Sequence, residues 1–180
     1  MSKQSKTKLL HIATIGKAVG LKGDLKLHIY SDFPEQFKKN VSFFIDEKQS
    51  ITISDINHAR GLFKIEGYTT PESARKFTNK KLYTTIERTR KECHLEDGEN
   101  FWFDIEGCSI VEDGKILGEV VEIDRLASTT YLKVQTAKEL VDKKFAKTFL
   151  IPYQEPFVVK KDIPNKTIVI DGGMDILEAS

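Results

Sequence analysis

The residues best able to do chemistry sit in three places along the chain. Gly16-Lys17-Ala18-Val19-Gly20-Leu21-Lys22-Gly23, followed shortly by Lys26, combines glycines that permit sharp turns with lysines and backbone amides that can meet phosphate oxygens. It is not a nucleotide-binding loop, because no Gly-Lys-Ser/Thr closes it and the residues after it alternate like a strand rather than opening a helix. A second cationic group, Arg75, Lys76, Lys80 and Lys81, lies on and just after a short predicted helix, near its negative dipole end. A solvated helix end is the competing reading there. Lys17, Lys22, Lys26, Arg75, Lys76 and Lys80 are therefore the candidate contacts to RNA phosphates. The third place is Phe101-Trp102-Phe103-Asp104, which holds the only tryptophan. Aromatic clusters of this kind anchor protein interfaces, with Trp102 expected in the core and Phe101 at the surface. Leu150-Ile151-Pro152-Tyr153 adds a strand closed by proline and followed by an amphipathic tyrosine.

Catalytic groupings are not legible. Carboxylates are plentiful late in the chain, yet none pairs with a histidine or with a serine-bearing elbow, so no catalytic residue is assigned. The histidines at positions 11, 28, 58 and 94 are scattered, and Cys93 and Cys108 form no close-spaced pair. Cys93-His94 lacks a second pair to complete a zinc site, and neither a metal nor a cofactor is expected.

These residues rest on elements of period two. Leu25, Leu27 and Ile29 alternate with Lys26, His28 and Tyr30; Ile51 and Ile53, Phe63 and Ile65, and Leu82, Thr84 and Ile86 continue the pattern. With strands over residues 9–15 and 41–45, the first half offers six short strands, enough for a small barrel. One helix interrupts them, capped by Thr70, begun by Pro71 and running through Phe77, with Asn79 as its stop. In the second half, Asp113-Gly114 supplies the positive φ values of a hairpin turn between residues 109–111 and 116–123. Further strands are expected over residues 130–134, 149–151, 157–160 and 167–170, with residues 137–147 open between helix and loop. The fold class is all-β with one short helix, arranged as two small β-barrels.

Charge divides the chain in the same way. Residues 1–92 hold 18 Lys/Arg against 10 Asp/Glu, whereas residues 93–180 hold 10 against 17, although the 180-residue chain carries only +1 overall. Such segregation fits a basic module for phosphate backbones and an acidic one for a cationic protein surface. The break falls in a charged stretch, giving expected domains 1–88 and 100–180 with residues 89–99 as linker. No run approaches the length of a membrane span and the N-terminus lacks the apolar core of a secretion signal, so a cytoplasmic location is expected.

The ordered series Gly16-Lys17, Gly20-Leu21-Lys22-Gly23-Asp24-Leu25-Lys26-Leu27, Ser31-Asp32-Phe33-Pro34-Glu35, Phe101-Trp102-Phe103-Asp104-Ile105-Glu106-Gly107, Asp113-Gly114-Lys115-Ile116-Leu117-Gly118, Leu150-Ile151-Pro152-Tyr153 and Ile176-Leu177-Glu178 resembles the RimM family of bacterial ribosome maturation factors. The resemblance covers nearly the whole chain. It implies an N-terminal barrel similar to translation-factor domains and a C-terminal PRC-barrel. It also implies a non-enzymatic role, binding the small ribosomal subunit near its head, contacting the basic ribosomal protein uS19 and aiding maturation of small-subunit rRNA. A single copy is expected to act.

In the family, an aromatic pair just before the tryptophan belongs to the partner surface, and those positions here are Asn100 and Phe101. With Asp104 and Tyr153 they form the candidate protein-partner set. Val19 and Phe103 stand where the family commonly has histidine. Two other classes compete with this reading. An RNA-processing enzyme using the acidic half would cleave precursor RNA with divalent metal, and a general RNA-binding module would not need residues 93–180.

Overall fold

Alternating apolar side chains become the inner wall of a barrel in the first part of the chain. A computed structural model describes residues 8–46 and 48–180, and the chain divides into two compact units, Met1–His94 and Leu95–Ser180. The first contains β1 (Leu9–Val19), β2 (Asp24–Ile29), β3 (Ser42–Phe44), β4 (Ser50–Asn57), β5 (Leu62–Ile65) and β6 (Lys81–Thr85). They close in the order β1-β2-β5-β4-β3-β6. Leu25, Ile53, Phe63, Ile65 and Leu82 point inward and share a core with Ile15, Phe37 and Phe43. Closure removes the unpaired strand edges that an open sheet would expose.

Helix α1 (Pro71–Arg75) starts as its residues dictate. The Thr70 hydroxyl accepts from the Ser73 amide at 3.2 Å, the Ser73 hydroxyl accepts from the Thr70 amide in return, and Pro71 occupies the first turn. A cap of this type stabilises a helix by about 1 kcal/mol. Ala74 seats the helix on the barrel core, fully buried. Asn79 takes a left-handed conformation, φ +66°, just beyond the last turn.

The second unit contains α3 (Trp102–Ile105), β7 (Ser109–Glu112), β8 (Lys115–Leu126), β9 (Thr129–Thr136), α4 (Lys138–Asp142), β10 (Thr148–Pro152), β11 (Val158–Asp162), β12 (Thr167–Ile170) and α5 (Gly173–Glu178). Asp113 and Gly114 have φ of +48° and +75°, the geometry expected for their hairpin turn. The hydrogen-bonded order is β10-β9-β8-β7-β12-β11, with β12 parallel to β7. No ladder joins β10 to β11 among the described residues. Ile110, Leu117, Val120, Leu132, Val134, Phe149, Ile151, Val158, Ile168 and Ile170 nevertheless meet in one core drawn from all six strands. The sheet must curl to bring them together. Helix α5 is tied down by Glu112, whose carboxylate accepts from the Gly173 and Met174 amides at 2.9 and 2.7 Å.

Both units are predominantly β, and they carry more short helices than the one that sequence predicts. Most span only four to seven residues, too few to show a 3.6-residue period. One of them, α2 (Ile86–Glu92), occupies part of the stretch expected as linker. Thr85 caps it by accepting from the Arg88 amide at 3.2 Å, and Thr89 and Cys93 are buried beneath it. The division between the units falls after His94. Among the described residues no helix is long and apolar enough to cross a membrane.

Candidate nucleic-acid and partner interfaces

All six cations proposed to meet phosphate are exposed. Lys17 lies near the end of β1, Lys22 in the β1–β2 turn and Lys26 in β2; Arg75 ends α1, Lys76 follows it, and Lys80 directly precedes β6. Backbone contacts bring the two groups to one end of the barrel. The Ile15 amide donates to the Lys80 carbonyl at 2.9 Å and the Asn79 amide to the Ile15 carbonyl at 2.7 Å, so Lys80 runs beside Gly16-Lys17. A Cβ on Gly16 would lie 2.7 Å from both Lys26 Cβ and the His28 ring, so only glycine lets β2 cross there. Gly23 has φ +75°, and a Cβ on it would sit 2.6 Å from the Tyr68 carbonyl oxygen. The β1–β2 turn is thereby seated on the segment that leads into α1.

The cations are not equally available. Lys26 Nζ donates to the Arg60 carbonyl at 2.8 Å, and Lys76 Nζ sits 4.2 Å above the Tyr68 ring. Among the described residues, the side chains of Lys17, Lys22, Arg75 and Lys80 make no hydrogen bond or ion pair. Asp24, the carboxylate inside this hairpin, lies 3.9 Å from Lys64. Lys76 and Lys80 also border an open groove of about 570 Å³ floored by Ile51, Ile65 and Phe77.

In the second unit the aromatic cluster reverses the expected order of burial. Phe101 is 8% exposed, whereas Trp102 is half-buried. The reason is local: the segment enters a helix, not a strand. Phe101 caps α3 and its carbonyl accepts from the Ile105 amide, so these two residues, four apart, face inward and Trp102 is rotated aside. Phe101 stacks on Phe103 with ring centroids 5.0 Å apart and planes 9° from parallel.

Trp102 instead meets Tyr153 edge-on at 6.3 Å. Burial pushes the Tyr153 phenol above its ordinary pKa. The Asn100 side chain partly offsets this without reaching hydrogen-bonding geometry, so the buried hydroxyl has no hydrogen-bond partner among the described residues. Asn100 and Tyr153 are thus brought together around Trp102, while Phe101 belongs with Phe103. The Asp104 carbonyl accepts from Lys166 Nζ at 2.6 Å.

Three cations that the sequence did not single out complete this region. Arg125 lies 5.0 Å over the Trp102 ring, Lys161 lies 4.6 Å over the Tyr153 ring, and Lys166 also donates to the Glu106 carbonyl at 2.9 Å. Each cation–aromatic contact of this kind contributes about 0.5–1 kcal/mol at an exposed site. Nothing local signals them, because each cation lies on a different element from the group it meets, from eight residues away for Lys161 and Tyr153 to about sixty for Lys166 and the α3 carbonyls. The two thiols are buried, and burial raises both pKa values, so neither cysteine is poised as a nucleophile. No cluster of three or more His, Cys, Asp or Glu placed to hold a metal occurs among the described residues.

Comparison with known proteins matches this architecture unit by unit. Residues 10–89 match the RimM N-terminal domain and residues 102–176 the RimM PRC barrel domain. A protein of Sulfurimonas denitrificans named ribosome maturation factor RimM is 67% identical over 180 residues, covering 100% of both chains. A protein of the same name from Nitratiruptor is 48% identical over 173 residues, covering 96% of this chain and 99% of its own. A crystal structure of a Pseudomonas aeruginosa protein described as a 16S ribosomal RNA processing protein RimM is 19% identical, covers 93% of this chain and 99% of that one, and has a TM-score of 0.38. With both domain models matched in succession and relatives aligned from end to end, the chain belongs to the RimM family of ribosome maturation factors.

Proposed function

We propose that this protein assists maturation of the small ribosomal subunit by binding two targets at once. The basic barrel grips small-subunit rRNA through Lys17, Lys22, Arg75 and Lys80, with Lys26 and Lys76 adding charge at the margin. The acidic unit docks on the basic head protein uS19 through the region of Asn100, Asp104 and Tyr153, with buried Phe101 holding Phe103 and the start of α3 in place. The protein acts in the cytoplasm as a single copy, and its effect is binding rather than bond-making: it favours a productive arrangement of the head and then leaves. Each contact alone is weak. Carrying both on one chain makes the second contact effectively intramolecular, so a particle presenting RNA and protein at the right separation is selected.

The observation that supports this most is the gathering of exposed cations from distant parts of the sequence at one barrel end, in a chain whose relatives are named as ribosome maturation factors. Co-sedimentation with small subunits from a strain lacking the protein tests it. The expected result is preference for immature over mature particles, with affinity that falls steeply as salt rises. Equal binding to both particles, or binding indifferent to salt, would reject the proposal.

A further inference from the structure

Leu21 is 89% exposed, more than any other large apolar side chain among the described residues. Single exposed leucines are ordinary; this one is unusual in how it is held. It stands at the tip of the β1–β2 turn, above the last paired residues Val19 and Asp24. Gly20 and Gly23 take left-handed conformations on either side, and Gly23 is pressed against the Tyr68-Thr69 backbone. The turn is therefore packed at its Gly23 end, and Leu21 projects from it into solvent. Lys22 adjoins the leucine, and exposed Lys17, Arg75 and Lys80 lie on segments that meet at the same end of the barrel.

An exposed apolar tip on the cation-bearing end of the barrel is complementary to a polyanion with an apolar interior. We propose that Leu21 is a wedge that inserts between neighbouring bases of RNA and unstacks them, while the surrounding cations hold the flanking phosphates. This rests on the reading that this end of the barrel faces RNA. Aliphatic side chains are used in this way by proteins that open base steps. The chemistry favours an unpaired or weakly stacked step in a loop or bulge, where bases already splay apart, over a continuous duplex. An anionic membrane would satisfy the cations equally, but one leucine buries too little for stable anchoring.

The test uses the full chain and a hairpin RNA carrying 2-aminopurine in its loop, whose fluorescence rises when the base is unstacked. The wild-type protein should produce that rise. Leu21→Ala should abolish it and weaken binding roughly tenfold, the scale of one buried leucine, while leaving the salt dependence unchanged. Lys22→Ala should do the converse, keeping the rise and lowering the salt slope by about 0.7. Thermal melting should show both variants folded as well as the wild type.

If Leu21→Ala binds the hairpin as tightly and unstacks it as well as the wild type, the wedge is overturned while RNA binding stands. If the wild type binds no RNA, both readings fall. Leu21-dependent binding to phosphatidylserine vesicles with no response to the hairpin would assign the tip to membrane instead.

Discussion

The cations at the candidate sites of the two units stand in opposite settings. In the first, Lys17, Lys22, Arg75 and Lys80 stand in solvent at one end of a closed barrel. In the second, Arg125 and Lys161 lie over aromatic rings, and Lys166 bridges two backbone carbonyls. A lysine held by its own chain stiffens structure. One left in water is available to a partner and contributes little to folding, since solvated cations carry no desolvation cost to offset.

The largest expected effect tests whether the units are separable. Ile110 is fully buried in the second core, and Ile110→Ala should cost about 2–5 kcal/mol by denaturant unfolding. Salt-dependent RNA binding should survive it; loss of that binding would show that the basic barrel depends on its neighbour. Next, Lys166→Met removes a donor to the Asp104 and Glu106 carbonyls and should destabilise the second unit by about 1 kcal/mol. Its counterpart in the first unit, Lys22→Ala, should change stability by less than about 0.5 kcal/mol. Equal stability effects from these two lysines would erase the distinction drawn between the units.

A smaller effect is expected at Tyr153, whose buried hydroxyl has no hydrogen bond among the described residues. Tyr153→Phe should leave stability unchanged or raise it by up to about 1 kcal/mol, since an unsatisfied polar group is removed. A clear loss of stability would mean that the hydroxyl is satisfied in solution.

The smallest effect concerns pH. All four histidines belong to the first unit. His11 has its pKa held below 6.5, mainly by burial; its hydrogen bond to the Ala13 carbonyl opposes that shift and the charge of Lys81 adds to it. The folded state thus prefers neutral imidazole. Its stabilising contribution is complete above the unfolded value of about 6.5, declines as pH falls through it, and levels off below the depressed folded value. Melting followed from pH 8 to 5 should show a step that His11→Gln removes, and that step should belong to the first unit alone.

Much of this arrangement could be read from the sequence. Alternation at Leu25-Leu27, Ile51-Ile53 and Phe63-Ile65 identifies inward faces because a strand has period two, and the inner residues are those buried. The Thr70-Pro71 start and the Asp113-Gly114 turn are local chemistry and are equally legible. Where local period misleads, the reading errs. Phe101-Trp102-Phe103 is too short to reveal that it opens a helix, so residue type alone points to Trp102 where Phe101 is the buried member. Helix α2 hides in a run of charges, yet Ile86, Thr89 and Cys93 carry a helical spacing that marks its inner side. Contacts such as Arg125 on Trp102 join a strand and a helix more than twenty residues apart and leave no local trace. The convergence of Lys17 and Lys80 is likewise set by the β1–β6 ladder.

The order in which strands find partners bears on how the protein is made. β1 closes on β6, so the first barrel has all its walls once residue 85 has left the ribosome. β7 must wait for β12, more than fifty residues later, to gain its parallel neighbour. During translation the basic barrel can therefore be complete while the second unit is still an unfinished sheet, since domains tend to fold from the N-terminus as they emerge. Under the proposed division of labour, a nascent copy would be able to hold RNA before it could hold protein, and would acquire its full selectivity only near the end of synthesis.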